Sequence, residues 1–281
     1  MDRRSFLLGT AAAGILASSA DAVDEQSWLN TFFVMDTWFW QEQSLTIPEQ
    51  CALLKKIGYG GMALSWGQQH AERLAALKTN GLQTPGCYIT VDIDGGYPEH
   101  LKQCVALMKG TGGRVWLALT SKKQKKSDPA GDDAALSIIN ACADACNEAR
   151  VPGIALYSHV GMWQEKVSDA IRLCEKAKRP EVGLQFNQFH WMAADGGKDL
   201  HKTIESALPH LQGVSINGSM QKASILPLSE GDYDVLPILK TLRELKYAGP
   251  VSHQGYSIKG NLPERLAAAK AKWDAMRNAV N

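Results

Sequence analysis

The sequence has little net charge and lacks a long basic stretch of the kind that binds nucleic acid. Its 30 lysines and arginines balance 29 aspartates and glutamates, so the formal net charge is +1. Nucleic-acid-binding surfaces need clustered positive charge, and we therefore expect no nucleic-acid partner. Outside the N-terminus no apolar run reaches the roughly 18 residues that a membrane span needs. We therefore expect no membrane span in the mature chain.

A disulfide framework and a glycine-rich phosphate loop are also missing from the sequence. The six cysteines lie in predicted helices, except Cys87 in a predicted strand. Cys142 and Cys146 share one helix face, where the geometry for a disulfide is poor, so we expect free, buried thiols. No glycine-rich fingerprint follows a predicted strand, which disfavours a doubly wound nucleotide-binding sheet.

The first 22 residues have the pattern of an export signal. Arg3-Arg4-Ser5-Phe6-Leu7 is a twin-arginine motif, an apolar run extends to about Ala17, and Ala20-Asp21-Ala22 is similar to a cleavage site. We predict a twin-arginine signal peptide over residues 1–22 and a periplasmic or otherwise exported protein. An uncleaved N-terminal anchor is the alternative. Residues 23–281 form one predicted domain, close to the ~250 residues typical of a single barrel.

The rest of the chain alternates between short apolar runs and amphipathic segments. Eight predicted strands alternate with eight predicted helices, and the strands are continuously apolar, as buried parallel strands are. This pattern predicts an α/β fold, a single-domain (β/α)8 TIM barrel. The predicted strands cover residues 30–37, 61–66, 85–92, 114–121, 154–159, 182–187, 213–217 and 250–256.

Several passages resemble the sugar isomerase/epimerase superfamily, the xylose-isomerase-like family of barrels. They are Ile57-Gly58-Tyr59-Gly60-Gly61 before strand two, Tyr157-Ser158-His159 ending strand five, Asn187-Gln188-Phe189-His190 after strand six, and the closing passage, which runs from Leu228 to Asp234 and then from Leu242 to Tyr256. The resemblance extends over about residues 30–273. It implies sugar isomerase or epimerase chemistry and a divalent metal held by Glu, Asp, His and Glu at the ends of strands five to eight.

The positions that match those metal ligands carry no carboxylate. They are Tyr157, Asn187, Ser215 and Gln254. Amide oxygens can bind a hard cation but bring no negative charge to hold it, and Gln254 cannot serve as a general base. A shift of register would bring in His159 and Asn217, again without a carboxylate. The sequence therefore leaves open whether a divalent metal is a cofactor.

The ends of the predicted strands carry side chains suited to sugar chemistry. We predict His159, His190 and Asp36 as catalytic candidates, because histidine titrates near neutral pH and a carboxylate can act as a base. A purely structural hydrogen bond is the alternative for each of them. Amides bind hydroxyl groups and aromatic rings stack on sugars. The substrate-binding candidates are Trp38, Trp66, Tyr157, Asn187, Asn217 and Gln254. His253 should face the opposite side of strand eight, in a packing role.

These features predict an exported barrel with a small-molecule carbohydrate partner. The predicted reaction abstracts a proton next to the carbonyl of a neutral sugar or keto-sugar, in an isomerase, epimerase or lyase. The first alternative is a barrel that has lost catalysis and binds carbohydrate or serves as a partner subunit. The second is a hydrolase that uses Asp36 with Asp92 or Asp94 at the end of strand three.

Overall fold

The chain folds into a closed barrel of eight parallel strands. The computed structural model describes residues 31–41, 44–67 and 69–280, so the predicted signal peptide lies outside the described residues. Each strand pairs with the next along the chain, and β8 closes the barrel against β1. The strands are β1 (Phe32–Met35), β2 (Gly61–Ser65), β3 (Gly86–Asp92), β4 (Arg114–Thr120), β5 (Ile154–Tyr157), β6 (Val182–Asn187), β7 (Leu211–Ile216) and β8 (Val251–His253). The predicted (β/α)8 barrel is confirmed.

Helices surround the barrel. They are α1 (Ile47–Ile57), α2 (His70–Thr79), α3 (Glu99–Met108), α4 (Asp132–Ala149), α5 (Val167–Ala177), α6 (Gln188–Asp195), α7 (Leu200–Ala207), α8 (Leu236–Glu244) and α9 (Leu262–Val280). Local signals set their ends. Thr46 and Glu49 form a capping box before α1, and Gly58 ends that helix in the left-handed conformation with φ 96°. No helix of the described part is long and apolar enough to cross a membrane.

The helices between strands six and seven, and the start of α4, differ in part from what the sequence predicts. The sequence predicts one helix over residues 198–208; α7 lies within these bounds and confirms it, and the structure adds α6 immediately after β6. The sequence also predicts Asp132 and Asp133 as the cap of the fourth helix. Gly131 is the N-cap instead, and the buried Asp132 carboxylate binds Arg172 and Lys176 of α5. Asp132 therefore joins α4 to α5 by an ion-pair cluster.

Strands β5 and β8 are shorter than predicted, which changes where the candidate site residues lie. β5 ends at Tyr157 and β8 at His253, so His159 and Gln254 lie in the loops that follow these strands. His190 lies in the first turn of α6. All of these residues remain at the carboxyl ends of the strands, where barrels of this class place their chemistry.

Candidate functional site

Trp116 fills the barrel interior below the carboxyl ends of the strands, on the side of their amino ends. Its indole lies over Gly86, where a Cβ atom would come within 2.1 Å of Trp116 Nε1. The side chains packed around it are mostly small, which leaves room for the indole: Met35, Ala63, Ala118, Ala155 and Tyr157. Tyr157 lies one inward-facing position further along β5 than Ala155. Its ring therefore forms the floor of the space at the carboxyl ends of the strands.

Asn187, the last residue of β6, organises the layer above this floor. Its Oδ1 accepts a hydrogen bond from the backbone N–H of His190 at 3.0 Å, which caps α6 and fixes the orientation of the amide. Its Nδ2 donates to the Tyr157 hydroxyl at 2.5 Å and to Gln254 Oε1 at 2.6 Å. Tyr157, Asn187 and Gln254, which match three metal-ligand positions of the resembled family, thus form one hydrogen-bonded network.

The donor atoms of this network do not fit a divalent cation. Asn187 turns N–H groups toward the point where the matched side chains meet, and Ser215 at the fourth matched position accepts from Gln185 Nε2 at 2.9 Å. None of the four brings a negative charge, which hard cations favour. Within residues 31–41, 44–67 and 69–280 no group of three or more His, Cys, Asp or Glu side chains could hold a metal ion.

His159 and His190 form a close pair beside the network. Their ring centroids lie 4.0 Å apart, with 37° between the ring planes. His190 is buried, 3% exposed, and His159 is half-buried. Burial lowers the pKa of His159, and burial together with His159 holds the pKa of His190 well below its usual range. Both imidazoles are therefore neutral near pH 7.

Hydrogen bonds to Val160 assign a different tautomer to each imidazole. His159 Nδ1 lies 2.8 Å from the carbonyl oxygen of Val160, so Nδ1 carries the proton and Nε2 has a lone pair. The backbone N–H of Val160 donates to His190 Nδ1 at 3.3 Å, so the proton of His190 is on Nε2. His159 Nε2 can accept a proton, while His190 Nε2–H can donate a hydrogen bond.

The two histidines open into a cavity of about 440 Å³, which we call the histidine cavity. Its lining is mainly apolar and aromatic, with a few polar groups: Met35, Thr37, Trp40, Ser65, Tyr88, Tyr157, His159, Phe189, His190, Ile225, Gln254 and Tyr256. This mixture is typical of small-molecule sites. Of the predicted site residues, it brings together His159, His190, Tyr157 and Gln254, with Asn187 hydrogen-bonded to the last two.

Asp36 and Trp66 line a neighbouring cavity of about 580 Å³, which we call the Asp36 cavity. Asp36 is buried, and its Oδ2 accepts a hydrogen bond from the backbone N–H of Ser65 at 3.0 Å. Burial raises the pKa of this carboxyl group. Asp36 does not line the histidine cavity, so the structure separates this predicted catalytic residue from the two histidines.

Two of the predicted substrate-binding residues, Trp38 and Asn217, make contacts within the protein and lie away from the histidine cavity. Trp38 is buried under Gly255, and its ring stacks on His253 with centroids 4.6 Å apart. His253 accordingly packs outside the barrel, as predicted, and accepts a hydrogen bond from the backbone N–H of Leu228 at 2.8 Å. The buried Asn217 amide donates to the carbonyl oxygens of Gly218 and Ser224. Neither Trp38 nor Asn217 lines the histidine cavity.

The aspartates of strand three also serve the backbone. Asp94 accepts hydrogen bonds from the Ser121 hydroxyl and from the backbone N–H groups of Lys122 and Lys123. Asp92 accepts from the backbone N–H of Asp94 at 2.9 Å. Neither lines the histidine cavity or the Asp36 cavity, so the structure does not support the hydrolase pairing with Asp36.

Sequence reasoning missed several residues that line the two cavities. Tyr88 alternates with Gly86 on β3 and faces Tyr157 edge-on at 4.9 Å between centroids, so strand alternation could have identified it. Phe189 and Tyr256 follow strands in the predicted loops and could have been included as rim aromatics. Arg73 is an interior residue of α2, and nothing in its sequence context pointed to the Asp36 cavity.

A protein-family model and several solved structures match this chain. The family model for the xylose isomerase-like TIM barrel matches residues 51–277. No curated protein matches the chain significantly. A 3-keto-D-glucoside 4-epimerase from E. coli superimposes with a TM-score of 0.68 at 14% identity, covering 89% of this chain and 100% of its own.

Two further structures give similar values. A D-psicose 3-epimerase from Clostridium cellulolyticum H10 has a TM-score of 0.67 and 12% identity, covering 90% of this chain and 100% of its own. A family 2 AP endonuclease from Brucella melitensis has a TM-score of 0.71 and 17% identity, covering 88% of this chain and 98% of its own. At such identities these neighbours share the fold, and their activities differ.

Proposed function

This chain belongs to the xylose isomerase-like TIM barrel family, and from that premise we propose that it is a carbohydrate isomerase, epimerase or lyase. The substrate is a neutral sugar or keto-sugar derivative that loses a proton from the carbon next to a carbonyl group. Two of the structural neighbours are sugar epimerases by name. This chain's own residues must supply the chemistry, since a fold alone does not determine a reaction.

The tautomers of the histidine pair carry the proposal. His159 Nε2, with its lone pair, takes the proton from the carbon, and the electron pair of the broken C–H bond moves toward the carbonyl oxygen. His190 Nε2–H donates a hydrogen bond to that oxygen as its negative charge develops. Return of the proton from His159 to the former carbonyl carbon, while the hydroxyl proton of the first carbon passes to the former carbonyl oxygen, gives an isomer. An epimer forms when a water molecule protonates the first carbon on the face opposite His159, which then gives its proton to solvent. Departure of a β-substituent from the enolate gives elimination.

The amide network takes the place of the family's metal site in this proposal. Asn187 holds Tyr157 and Gln254 where the resembled family has ligands, and no carboxylate is present there. We therefore propose a degenerate metal site in which Gln254 binds a substrate hydroxyl. The histidine pair, rather than metal-bound glutamates, then moves the proton.

Exchange of hydrogen for deuterium tests the proposal before the product is known. Proton abstraction alone produces exchange in D₂O, whether the enzyme is an isomerase, an epimerase or a lyase. Aldoses, ketoses and 3-keto-glycosides would be incubated with the protein and followed by NMR. We expect exchange next to a carbonyl with the wild type and a loss of about 10²–10⁴-fold in His159→Ala. No exchange across the panel, or full exchange in His159→Ala, contradicts the proposal.

A carbohydrate-binding barrel without catalysis is the second candidate. The absence of carboxylates at positions 157, 187, 215 and 254 favours it. Sugars that raise the melting temperature of the wild type without undergoing exchange would support this candidate over the first. The same panel therefore separates the two functions.

Export by the twin-arginine route is proposed from the N-terminal sequence. The support is the Arg3-Arg4 pair, the apolar run after it and Ala20-Asp21-Ala22. We expect the mature protein to begin after Ala22 and to occur in the periplasmic fraction. An Arg3→Lys, Arg4→Lys variant that is exported as well as the wild type argues against this route.

A further inference from the structure

The histidine cavity and the Asp36 cavity lie side by side. Trp40 and Ser65 line both of them, so the two spaces share a wall at the ends of β1 and β2. The Asp36 cavity, at about 580 Å³, is at least as large as the histidine cavity, at about 440 Å³. Each has the volume of an ordinary small-molecule site, and one extended ligand could occupy both.

The Asp36 cavity contains opposite charges that do not touch. Asp36 and Arg73 both line it. Burial raises the pKa of the Asp36 carboxyl group, and the positive charge of Arg73 is among the influences that oppose this rise. In the part of the chain that the structure describes, Arg73 forms no ion pair; its Nη1 donates to Gln50 Oε1 at 2.9 Å. Asp36 Oδ1 and Ser65 Oγ are both buried without a hydrogen-bond partner. Buried polar atoms of this kind usually have one.

A hydroxyl group satisfies this arrangement better than an anion does. It accepts a hydrogen bond from the guanidinium and donates one to a carboxylate, so it can bridge the two side chains. Glu72 also lines the cavity. With Asp36, Glu72 and Arg73 ionised, the lining carries an excess negative charge, which disfavours phosphate or a free carboxylate. A neutral polyol has hydroxyl groups that both donate and accept hydrogen bonds, and it carries no negative charge.

Two tryptophans give the Asp36 cavity surfaces suited to a sugar ring. Trp66 is half-buried and stacks on His70, with centroids 5.1 Å apart and 16° between the planes, so its indole is held in place. Trp40 is 56% exposed at the shared wall. Aromatic faces bind the apolar face of a pyranose. Charged side chains that can bind hydroxyl groups and indole rings that can stack on a sugar therefore line the same cavity.

We propose that the Asp36 cavity is a second sugar subsite, so that the ligand is a disaccharide or other glycoside spanning both cavities. The ring that loses a proton lies against His159 and His190. The second ring lies between Trp66 and the Asp36–Arg73 pair. This inference rests on the proposed function for the first ring, whereas the subsite itself is a matter of binding.

Calorimetric titration of the wild-type protein compares one ring with two. The probes are glucose and the disaccharides cellobiose, gentiobiose, maltose and trehalose, each also as its 3-keto derivative. We expect at least one disaccharide to bind about tenfold or more tightly than the matching single ring. Trp66→Ala should remove most of that advantage, so that the disaccharide then binds about as tightly as the matching single ring. Trp66→Phe, which retains a ring, should keep most of it.

A second variant tests the charged pair. Arg73→Met, if folded by circular dichroism, should reduce the disaccharide advantage as Trp66→Ala does. If Arg73→Met does not fold, the Trp66 variants decide, because that side chain is only half-buried. Equal binding of one and two rings, an equal loss for both in Trp66→Ala, or no sugar binding at all overturns the subsite.

Failure of the subsite and failure of the proposed function give different results. Trp66-dependent disaccharide binding without hydrogen exchange retains the subsite and rejects the catalytic proposal. Hydrogen exchange with single rings, without tighter binding of any disaccharide, retains the catalytic proposal and rejects the subsite.

Discussion

At the scale of single residues, the neutral state of His159 sets the pH dependence of the proposed reaction. Burial lowers the pKa of His159 below its usual 6.5, so the base is unprotonated at pH 7 and is lost as pH falls through that lower value. We expect kcat/KM for exchange to be flat around pH 7 and to fall on the acid side, below pH 6.5.

A histidine remote from the cavities provides the control. His201 is exposed and lies near Glu244, and His201→Ala should retain the acid limb of the profile. Activity that increases as pH falls from 7 to 6 would mean that the working form of the histidine pair is protonated, contrary to the assigned tautomers.

The Asn187 amide group also predicts the metal content. Because it turns N–H donors toward Tyr157 and Gln254, we expect far less than one equivalent of manganese, zinc or cobalt. The measurement is elemental mass spectrometry on protein expressed with residues 1–22 included and purified without a chelator. Hydrogen exchange should also survive EDTA. About one equivalent of metal, lost together with exchange activity, would show that the amides rearrange to bind it.

Sequence reasoning at this scale worked where strand ends determine position. It placed His159, His190 and Gln254 correctly at the rim, because parallel strands all end on one face of the barrel. It did not anticipate that Trp38 and Asn217 lie outside the histidine cavity, since the direction of a side chain in a loop depends on contacts such as the Trp38–His253 stack. The tautomers depend on Val160 backbone atoms, which no sequence pattern specifies.

At the scale of secondary structure elements, Asn187 joins β6 to α6 and to the floor of the site. Asn187→Ala removes the helix cap and the donor to Tyr157 and Gln254, and we expect it to lower the free energy of unfolding by about 1–3 kcal/mol. Asn187→Ser retains a capping oxygen and should recover about 1 kcal/mol of that loss. Urea unfolding measures both.

Activity separates the two roles of Asn187. Since Ser cannot reach Tyr157 and Gln254 as the amide does, exchange activity should fall in both variants although stability recovers in one. Equal stability of Asn187→Ala and Asn187→Ser would show that the cap contributes little.

The missed helix α6 shows the limit of prediction from periodicity. α6 has only eight residues, starts directly at the end of β6 and contains the aromatic, polar and histidine cluster from Gln188 to Trp191. Such a cluster is typical of a catalytic loop as well as of a helix. Eight residues span only about two helical turns, so the periodicity of the apolar residues cannot distinguish the two. The cap is formed by the residue that ends the strand, so no loop marks the start of the helix.

At the scale of the whole molecule, closure of the barrel could be predicted because it depends on the number of strands and helices. Eight apolar strands alternating with amphipathic helices leave few arrangements that bury every strand, and the closed order β1 to β8 is one of them. The division of the barrel mouth into two cavities could not be predicted. This division depends on the positions of Trp40, which follows β1, and Ser65, which ends β2, because both residues line both cavities.

Buried histidines make the stability of the whole fold sensitive to acid. Burial lowers the pKa of His253 to about 3, against 6.5 for the free side chain. The unfolded chain therefore binds more protons between these values, and stability that is complete above pH 6.5 is lost as pH falls toward 3. We expect this residue alone to cost about 2 kcal/mol between pH 6.5 and pH 5, at about 1.4 kcal/mol per unit.

A His253→Gln variant isolates that contribution. Glutamine keeps an acceptor for the backbone N–H of Leu228 and does not titrate, so urea unfolding at pH 6.5 and 5 should show a smaller loss than in the wild type. An identical pH dependence in both proteins would mean that other groups, such as His190, account for the acid sensitivity.

The cysteines connect the fold to the proposed export route. All six are free and buried, as predicted. Burial raises the pKa of the Cys51 thiol to about 11 and that of Cys174 to about 12. Oxidation requires a thiolate, and a twin-arginine signal exports chains that are already folded. We therefore expect protein recovered from the periplasm to react with no thiol reagent while native and with six equivalents once unfolded.

The neighbouring thiols make this a strict test. Cys87 lies close to Cys104, and Cys142 lies close to Cys146, so a partly folded chain in an oxidising compartment could be oxidised at these thiols before they are buried. Protein directed through an unfolded-export signal serves as the comparison and should lose thiols. A loss of two equivalents in the protein carrying its own signal would show that the core is still open when it meets the oxidant, which contradicts export in the folded state.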